Sequence, residues 1–257
     1  MTGDSTYYHR AKGIADTYVR LQNADGSWPI KVDFTTGEPI NNSHAMLQPL
    51  LTYFQRLKAD YGIDTYADAQ AKAEAWMQNV AVRNFDMTGQ FEDVSVMNLR
   101  PYENLTNCTA APYASYLLSK KAPTDQEIAD AKDLTHFSED QFTFWDTPYN
   151  ADGIKMLATP CVYEQYKYQK PVDNSACNVA EAMLDLYTTT GDKTYLAKSK
   201  AIVDNITFVQ NPINGQIPTT WDFRVRNAER FRTYWINCTY SSVTMLLKMA
   251  DVIDSMQ

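Results

Sequence analysis

Two carboxylates stand among aromatic residues in stretches without helical periodicity. Glu164 lies in Pro160-Cys161-Val162-Tyr163-Glu164-Gln165-Tyr166, and Asp222 in Thr219-Thr220-Trp221-Asp222-Phe223-Arg224. A carboxyl partly shielded from water holds its proton longer than an exposed one, so one member could act as general acid while the other stays ionised. Cleavage of a glycosidic bond needs that division of labour, with the separation of the two carboxyls setting the stereochemical course. Each could instead pair with a neighbour such as Lys167 or Arg224. Glu92-Asp93 is a weaker pair, and Asp173, just ahead of an apolar helical stretch, reads as an N-cap.

Eliminative chemistry would use other groups: a base for the proton at C5 of a uronate and residues that neutralise its carboxylate. His44 and Tyr166 are the candidates for this role, with Arg224, Asn104, Asn107 and Asn237 near them in the pattern. His44 could equally be a packed structural histidine. His44, Cys108, Cys177 and Cys238 recur at the starts of successive apolar helices. Equivalent positions on neighbouring helices are ~8–10 Å apart, too far for four ligands around one ion, so packing cysteines are expected and no metal site. There is no phosphate-binding glycine loop, no Gly-x-Ser-x-Gly and no His-Glu-x-x-His, and no cofactor is expected.

The net charge of −8, from 23 Lys+Arg against 31 Asp+Glu, disfavours nucleic acid, anionic membranes and polyanionic uronates alike. No apolar run reaches the roughly 18 residues of a membrane span, and the first residues carry no secretory signal pattern. With 44% hydrophobic residues the chain is long enough for one sizeable core.

An internal repeat indicates what must hold these residues. Thr2–Asn23 aligned with Thr190–Asn211 is identical at 10 of 22 positions, among them Gly3/Gly191, Asp4/Asp192, Tyr7/Tyr195 and Asp16/Asp204. Weaker copies begin at Asp64 and Asp125. We therefore read a single domain of four units, 1–60, 61–121, 122–189 and 190–257, each a helical hairpin. Outer, amphipathic helices are expected near Thr6–Gln22, Thr65–Val80, Asp125–Gln141 and Lys193–Gln210, capped by Asp or Thr. Inner helices, apolar nearly all round, are expected near Ser43–Asp60, Asn104–Ser119, Asn174–Thr190 and Asn237–Asp254. The implied fold is all-α, an α/α toroid of which four hairpins are visible. The outer-to-inner links are long and fall on one face, above the inner-helix N-termini. That is where a binding face is expected. These loops hold Trp28, Trp145, Trp221 and Trp235, with Tyr102 and Arg224, beside many carboxylates. Rings next to carboxylates and amides suit a sugar, whose apolar face stacks while its hydroxyls are hydrogen-bonded. The same tryptophans could instead simply cover the core.

Thr190-Gly191-Asp192-Lys193-Thr194-Tyr195-Leu196-Ala197-Lys198-Ser199 resembles the hairpin motif of the six-hairpin glycosidase superfamily. That group includes unsaturated glucuronyl and rhamnogalacturonyl hydrolases and toroid polysaccharide lyases. Gln22-Asn23-Ala24-Asp25-Gly26-Ser27-Trp28-Pro29 is similar to the Asp-Gly-x-Trp turn of helical-barrel pectate lyases. The resemblance implies a carbohydrate substrate and a periplasmic or secreted location. Its motifs report fold rather than reaction; the acidic face, which suits a uronate polymer badly, favours a hydrolase over a lyase, with a non-catalytic glycan-binding toroid as the third reading. The superfamily closes its ring with about six hairpins against four here. The chain is therefore expected to be a fragment or an open arc, with apolar surface at its ends that self-association could cover.

Overall fold

The computed structural model describes residues 5–40, 44–45, 47–84, 106–146, 149–155, 157–166, 170–222 and 234–256. Tyr102, Asn104, Arg224, Lys167 and the pair Glu92-Asp93 lie outside them. The chain divides into two compact units, Met1–Asn104 and Leu105–Gln257.

The first unit opens with helix α1 (Ser5–Leu21), followed by strand β1 (Trp28–Pro29), which pairs antiparallel with β2 (His44–Ala45). Helix α2 (Gln48–Tyr61) buries Leu50, Leu51, Phe54 and Leu57, and α3 (Ala67–Trp76) runs through a π-helical turn, Met77–Ala81, into α4 (Val82–Asn84). Helix α2 starts five residues after the expected Ser43. Pro49 has no N–H and clashes with the preceding turn, so it fits only at a helix start. The apolar stripe read on α1 is not a buried one. Only Ala15 is fully buried there, and Tyr7 and Ile14 are exposed. Ile14, Tyr18 and Leu21 line a groove of about 770 Å³ shared with Trp28 and Ile30.

The second unit is built around α7 (Asp173–Thr190), which packs against α5 (Ala110–Leu118), α6 (Asp125–Phe142), α8 (Lys193–Val209) and α9 (Ile236–Asp254). Because it is surrounded, α7 buries Ala176, Cys177, Val179, Ala180, Ala182, Met183, Leu184 and Leu186 on every side. The expected capping chemistry is present. Thr124 and Glu127 form a reciprocal capping box at α6, and Asp192 accepts from Thr194 N at 2.8 Å at α8. Gly191, at φ +76°, closes α7 in the left-handed conformation that a Cβ would strain. Helix α5 again starts later than expected, with Pro112 in its first turn. Residues ahead of it turn to sheet-like pairing, Thr106 with Gln165. Helix α9 departs from the all-round burial expected of it. It buries one stripe, Cys238, Ser242, Met245 and Met249, while Ile236, Tyr240, Val243 and Leu247 face solvent.

Candidate active site

In the second unit the loops ahead of α5, α7 and α9 are stitched to one another. Strand β3 (Thr143–Phe144) pairs with β4 (Cys161–Val162), Tyr163 with Pro171, Val172 with Thr220, and Thr106 with Gln165. The Glu164 carbonyl accepts from Asn107 N at 2.8 Å and Thr106 Oγ1 at 3.1 Å. Asp173 N donates to Thr219 O at 2.9 Å, and Trp235 N to Thr219 Oγ1 at 2.6 Å. Bonds of this kind tie Glu164, Asp173, Trp235 and the Thr219–Thr220 segment just ahead of Asp222 into one connected framework at the helix N-termini.

Glu164 and Asp222 are both half-buried. The Glu164 carboxylate is close enough to the Cys238 thiol to disfavour its ionisation. Burial is the main reason that thiol is pushed up, with the Asp173 and Glu164 charges adding to it. Trp145 and Trp235 keep 38% and 59% of their surface exposed, so their rings are open to a ligand. Tyr166 has its hydroxyl engaged by the Gln141 side chain and its ring centred 5.2 Å from Phe142.

Trp221 is not available as a sugar platform. It is 4% exposed, packs with Ala158, Cys161 and Val209, and donates its indole N–H to Ala158 O at 3.2 Å. Asn205, buried on α8, donates to Ala158 O and Pro160 O at 3.1 and 2.9 Å. These two side chains pin the segment that runs into Glu164. Trp28, in the first unit, is likewise a core residue. It is 2% exposed, and its N–H is spent on Tyr18 O at 2.7 Å. Both rings are large apolar bodies with one donor satisfied by a nearby carbonyl, the usual condition of a buried tryptophan.

His44 sits on β2 in the first unit rather than on a helix. Its Nδ1 is 2.9 Å from Ser27 Oγ, which donates to Asp25 Oδ1 at 2.7 Å and accepts from Asn23 Nδ2 at 3.0 Å. With its single proton committed to Asp25, Ser27 can only accept from His44, which assigns the Nδ1–H tautomer to the neutral ring. Burial opposes ionisation of Asp25, yet the Ser27 hydroxyl and N–H hold its carboxyl below the usual range. The Asp-Gly-x-Trp turn is thus a packing device. Gly26 has φ +98°, and a Cβ there would lie 2.3 Å from Lys72 O on α3.

Asp173 was the group least legible in the sequence. It is not the N-cap of α7; that position is Val172, and no side chain caps the helix. Asp173 is fully buried, and its Oδ2 is hydrogen-bonded to Ser242 on α9 and reached by Cys177 Sγ at 3.7 Å. Burial pushes its carboxyl up to about 7, against the bonds from Ser242 and Cys177. Ser242 Oγ also donates to Cys238 O at 2.9 Å. A protonated Asp173 satisfies both contacts, donating to Ser242 Oγ while Ser242 donates to the carbonyl. The signal available was Ser242 falling four residues after Cys238 on an otherwise apolar face.

Cys161, Cys177 and Cys238 are buried, and none of the four cysteines forms a disulfide. Among the described residues no group of three His, Cys, Asp or Glu side chains is arranged to hold a metal ion.

No family model matches the chain, and no curated protein matches it in sequence. A solved structure of a D-mannose isomerase matches it with a TM-score of 0.66 at 12% identity, over 96% of this chain. The fold it shares with that structure is all-α, an α/α toroid of helical hairpins. The likeness is one of fold, and this chain spans 65% of the isomerase's length. A second structure is an inactive variant of an alpha-1,6-mannanase of Salegentibacter sp. HEL1_6, in complex with alpha-1,6-mannotetrose. It aligns at a TM-score of 0.41 and 12% identity, over 95% of this chain and 86% of that one.

Proposed function

We propose that this toroid is a carbohydrate-active enzyme that hydrolyses glycosidic bonds in an oligo- or polysaccharide, with Glu164 and Asp222 as its acid/base pair. The observation that carries the reading is the hydrogen-bonded loop framework of the second unit. It joins the segments bearing two half-buried carboxyls to two tryptophans with open faces. Trp145 and Trp235 stack on the sugar, and the two carboxyls divide the acid and base roles. The four repeats, 1–60, 61–121, 122–189 and 190–257, form the scaffold of one domain in this reading. The substrate is neutral, in keeping with a net charge of −8.

The test is turnover of saturated and unsaturated oligosaccharides by the wild type, Glu164→Gln and Asp222→Asn. Loss of about a hundredfold or more in kcat with an unchanged circular dichroism spectrum supports the assignment. Near-normal turnover in both variants rejects the pair. Products ending in a new double bond make the chain a lyase, isomerisation of free D-mannose makes it an isomerase, and saturable binding without turnover makes it a glycan-binding module.

A further inference from the structure

Lys155 follows a tight turn on the link between α6 and α7. Asn150 N donates to Ile154 O and Gly153 N to Asn150 O, both at 3.0 Å, and the Asn150 side chain accepts from Asp152 N and Ile154 N. Tyr149 and Lys155 face each other across the resulting antiparallel bridge, so their side chains leave the same side of it. The turn delivers the Lys155 ammonium to the ring of Phe208 on α8, with Nζ 4.4 Å from the ring centre. Phe208 is itself packed on Ala158, Cys161, Val209 and Trp221. What this amine lacks is a carboxylate in contact. Lys12, Lys120, Lys198 and Lys248, likewise partly buried, each hold one at 2.6–2.8 Å. Among the described residues Lys155 forms no such pair. The acid that acts on it from a distance is Asp204, one turn before Phe208, and both oxygens of Asp204 are taken by Lys200, at 2.9 and 2.7 Å.

We propose that Lys155 is a site of covalent modification by aldehydes, the open-chain form of a reducing sugar among them, through an imine on Nζ. Desolvation against a ring and the want of a close counter-ion both favour the free amine, which is the nucleophile. Burial pulls the ammonium from 10.5 down to about 8, with the more distant Asp204 charge opposing the shift. The ring face attracts the cation too, but less strongly than a carboxylate in contact would. In the reaction the Nζ lone pair forms a bond to the aldehyde carbon, and a proton passes from nitrogen to the new alkoxide. The hydroxyl of that carbinolamine then takes a proton from solvent and departs as water. The nitrogen gives its last proton back to solvent, which leaves a C=N bond. No oxidant or further reactant enters. None of this depends on Glu164 or Asp222, so normal or lost turnover in their variants leaves it untouched.

The test treats the full chain with glyceraldehyde, a three-carbon hydroxyaldehyde, in the presence of cyanoborohydride, which traps each imine as a secondary amine. Mass spectrometry of the digested protein then maps the adducts against time. At pH 7 about a tenth of an amine titrating near 8 is unprotonated, against fewer than about one in a thousand for an ordinary lysine. A less basic amine is also a weaker nucleophile, which gives back part of that advantage. Lys155 is therefore expected to label about tenfold or more faster than the exposed Lys31, Lys72 and Lys193. Its rate should level off above about pH 8, while theirs keep rising. Phe208→Ala, which lets water onto the amine, is expected to bring Lys155 down to the rate of the exposed lysines. Lys155→Arg is expected to remove the adduct, and both variants should keep the circular dichroism spectrum. A wild-type Lys155 that labels no faster than the exposed lysines overturns the proposal. So does a rate that climbs in step with theirs beyond about pH 8, or one that Phe208→Ala leaves unchanged in a folded chain.

Discussion

Replacing Asp173 by Asn tests the buried cluster directly, because the amide imitates the protonated acid in shape and can donate to Ser242. In the folded chain burial raises the Asp173 carboxyl from 3.8 to about 7. The sign follows from proton uptake. Between pH 4 and 7 the folded state keeps a proton that the unfolded state has released, so stability falls as pH rises. The contribution is intact below about pH 4, is lost through the folded value near 7, and then levels off. A shift of about three units is worth about 4 kcal/mol at 1.36 kcal/mol each, and the N-terminal turn of α7 offsets part of that by favouring the anion. A net pH-dependent loss of about 2–4 kcal/mol is therefore expected in the wild type and not in the variant. Urea unfolding of both proteins at pH 5, 6, 7 and 8 supplies the assay. Other titrating groups cancel in the difference, which should move in favour of the variant by about 1 kcal/mol per pH unit up to neutrality. Parallel stability curves would refute both the protonated state and the role assigned to the Ser242 contact.

Gly26→Ala is expected to destabilise the first unit by about 2–4 kcal/mol in urea unfolding, since it combines a positive φ with a contact on the Lys72 carbonyl. Asn205→Ala leaves the Pro160 carbonyl without its Asn205 donor and the Ala158 carbonyl with that of Trp221 alone. A loss of about 1–3 kcal/mol is expected, together with faster amide exchange across Cys161–Gln165, and unchanged exchange there would sink the pinning role.

Helix types, the caps at Thr124 and Asp192 and the gathering of long loops at the α7 and α9 starts could be read in the sequence. They depend on local chemistry repeated at a fixed period. The late starts of α2 and α5 were legible too, in Pro49 and Pro112, each of which forbids the turns assigned ahead of it. The tryptophans were harder. Composition says that Trp28 and Trp221 sit in loops, but only the fold shows that each loop folds back until the ring is covered and its N–H meets a carbonyl. A tryptophan's burial depends on which distant segment closes over it, and that is not encoded in its neighbours. Asp173 was misread for the same reason. An N-cap is a local contact, whereas its real partner Ser242 is 69 residues away.

The buried cluster and the open face of α9 are two ends of one problem. An inner helix that is apolar all round needs neighbours on every side, and α7 has them in α5, α6, α8 and α9. There the chain can accept a buried acid at the helix start, because dense packing elsewhere on α7 absorbs the cost of keeping it protonated. Helix α9 has the same apolar character, but among the described residues its outer side is exposed. Its Ser242 is held by Asp173, which fixes the rotation that turns Tyr240, Val243 and Leu247 outward. If Asp173 ionises, the bond to Ser242 must be remade with the serine as donor, in competition with Cys238 O. The α9 start, which carries Trp235, is then held less firmly. Rise in pH through neutrality should therefore loosen the Trp235 end of α9. Amide exchange over Asn237–Thr244, measured at pH 6 and 8 with correction for intrinsic rates, should quicken in the wild type and not in Asp173→Asn. Equal acceleration in both proteins would refute a role for the acid in holding the α9 start.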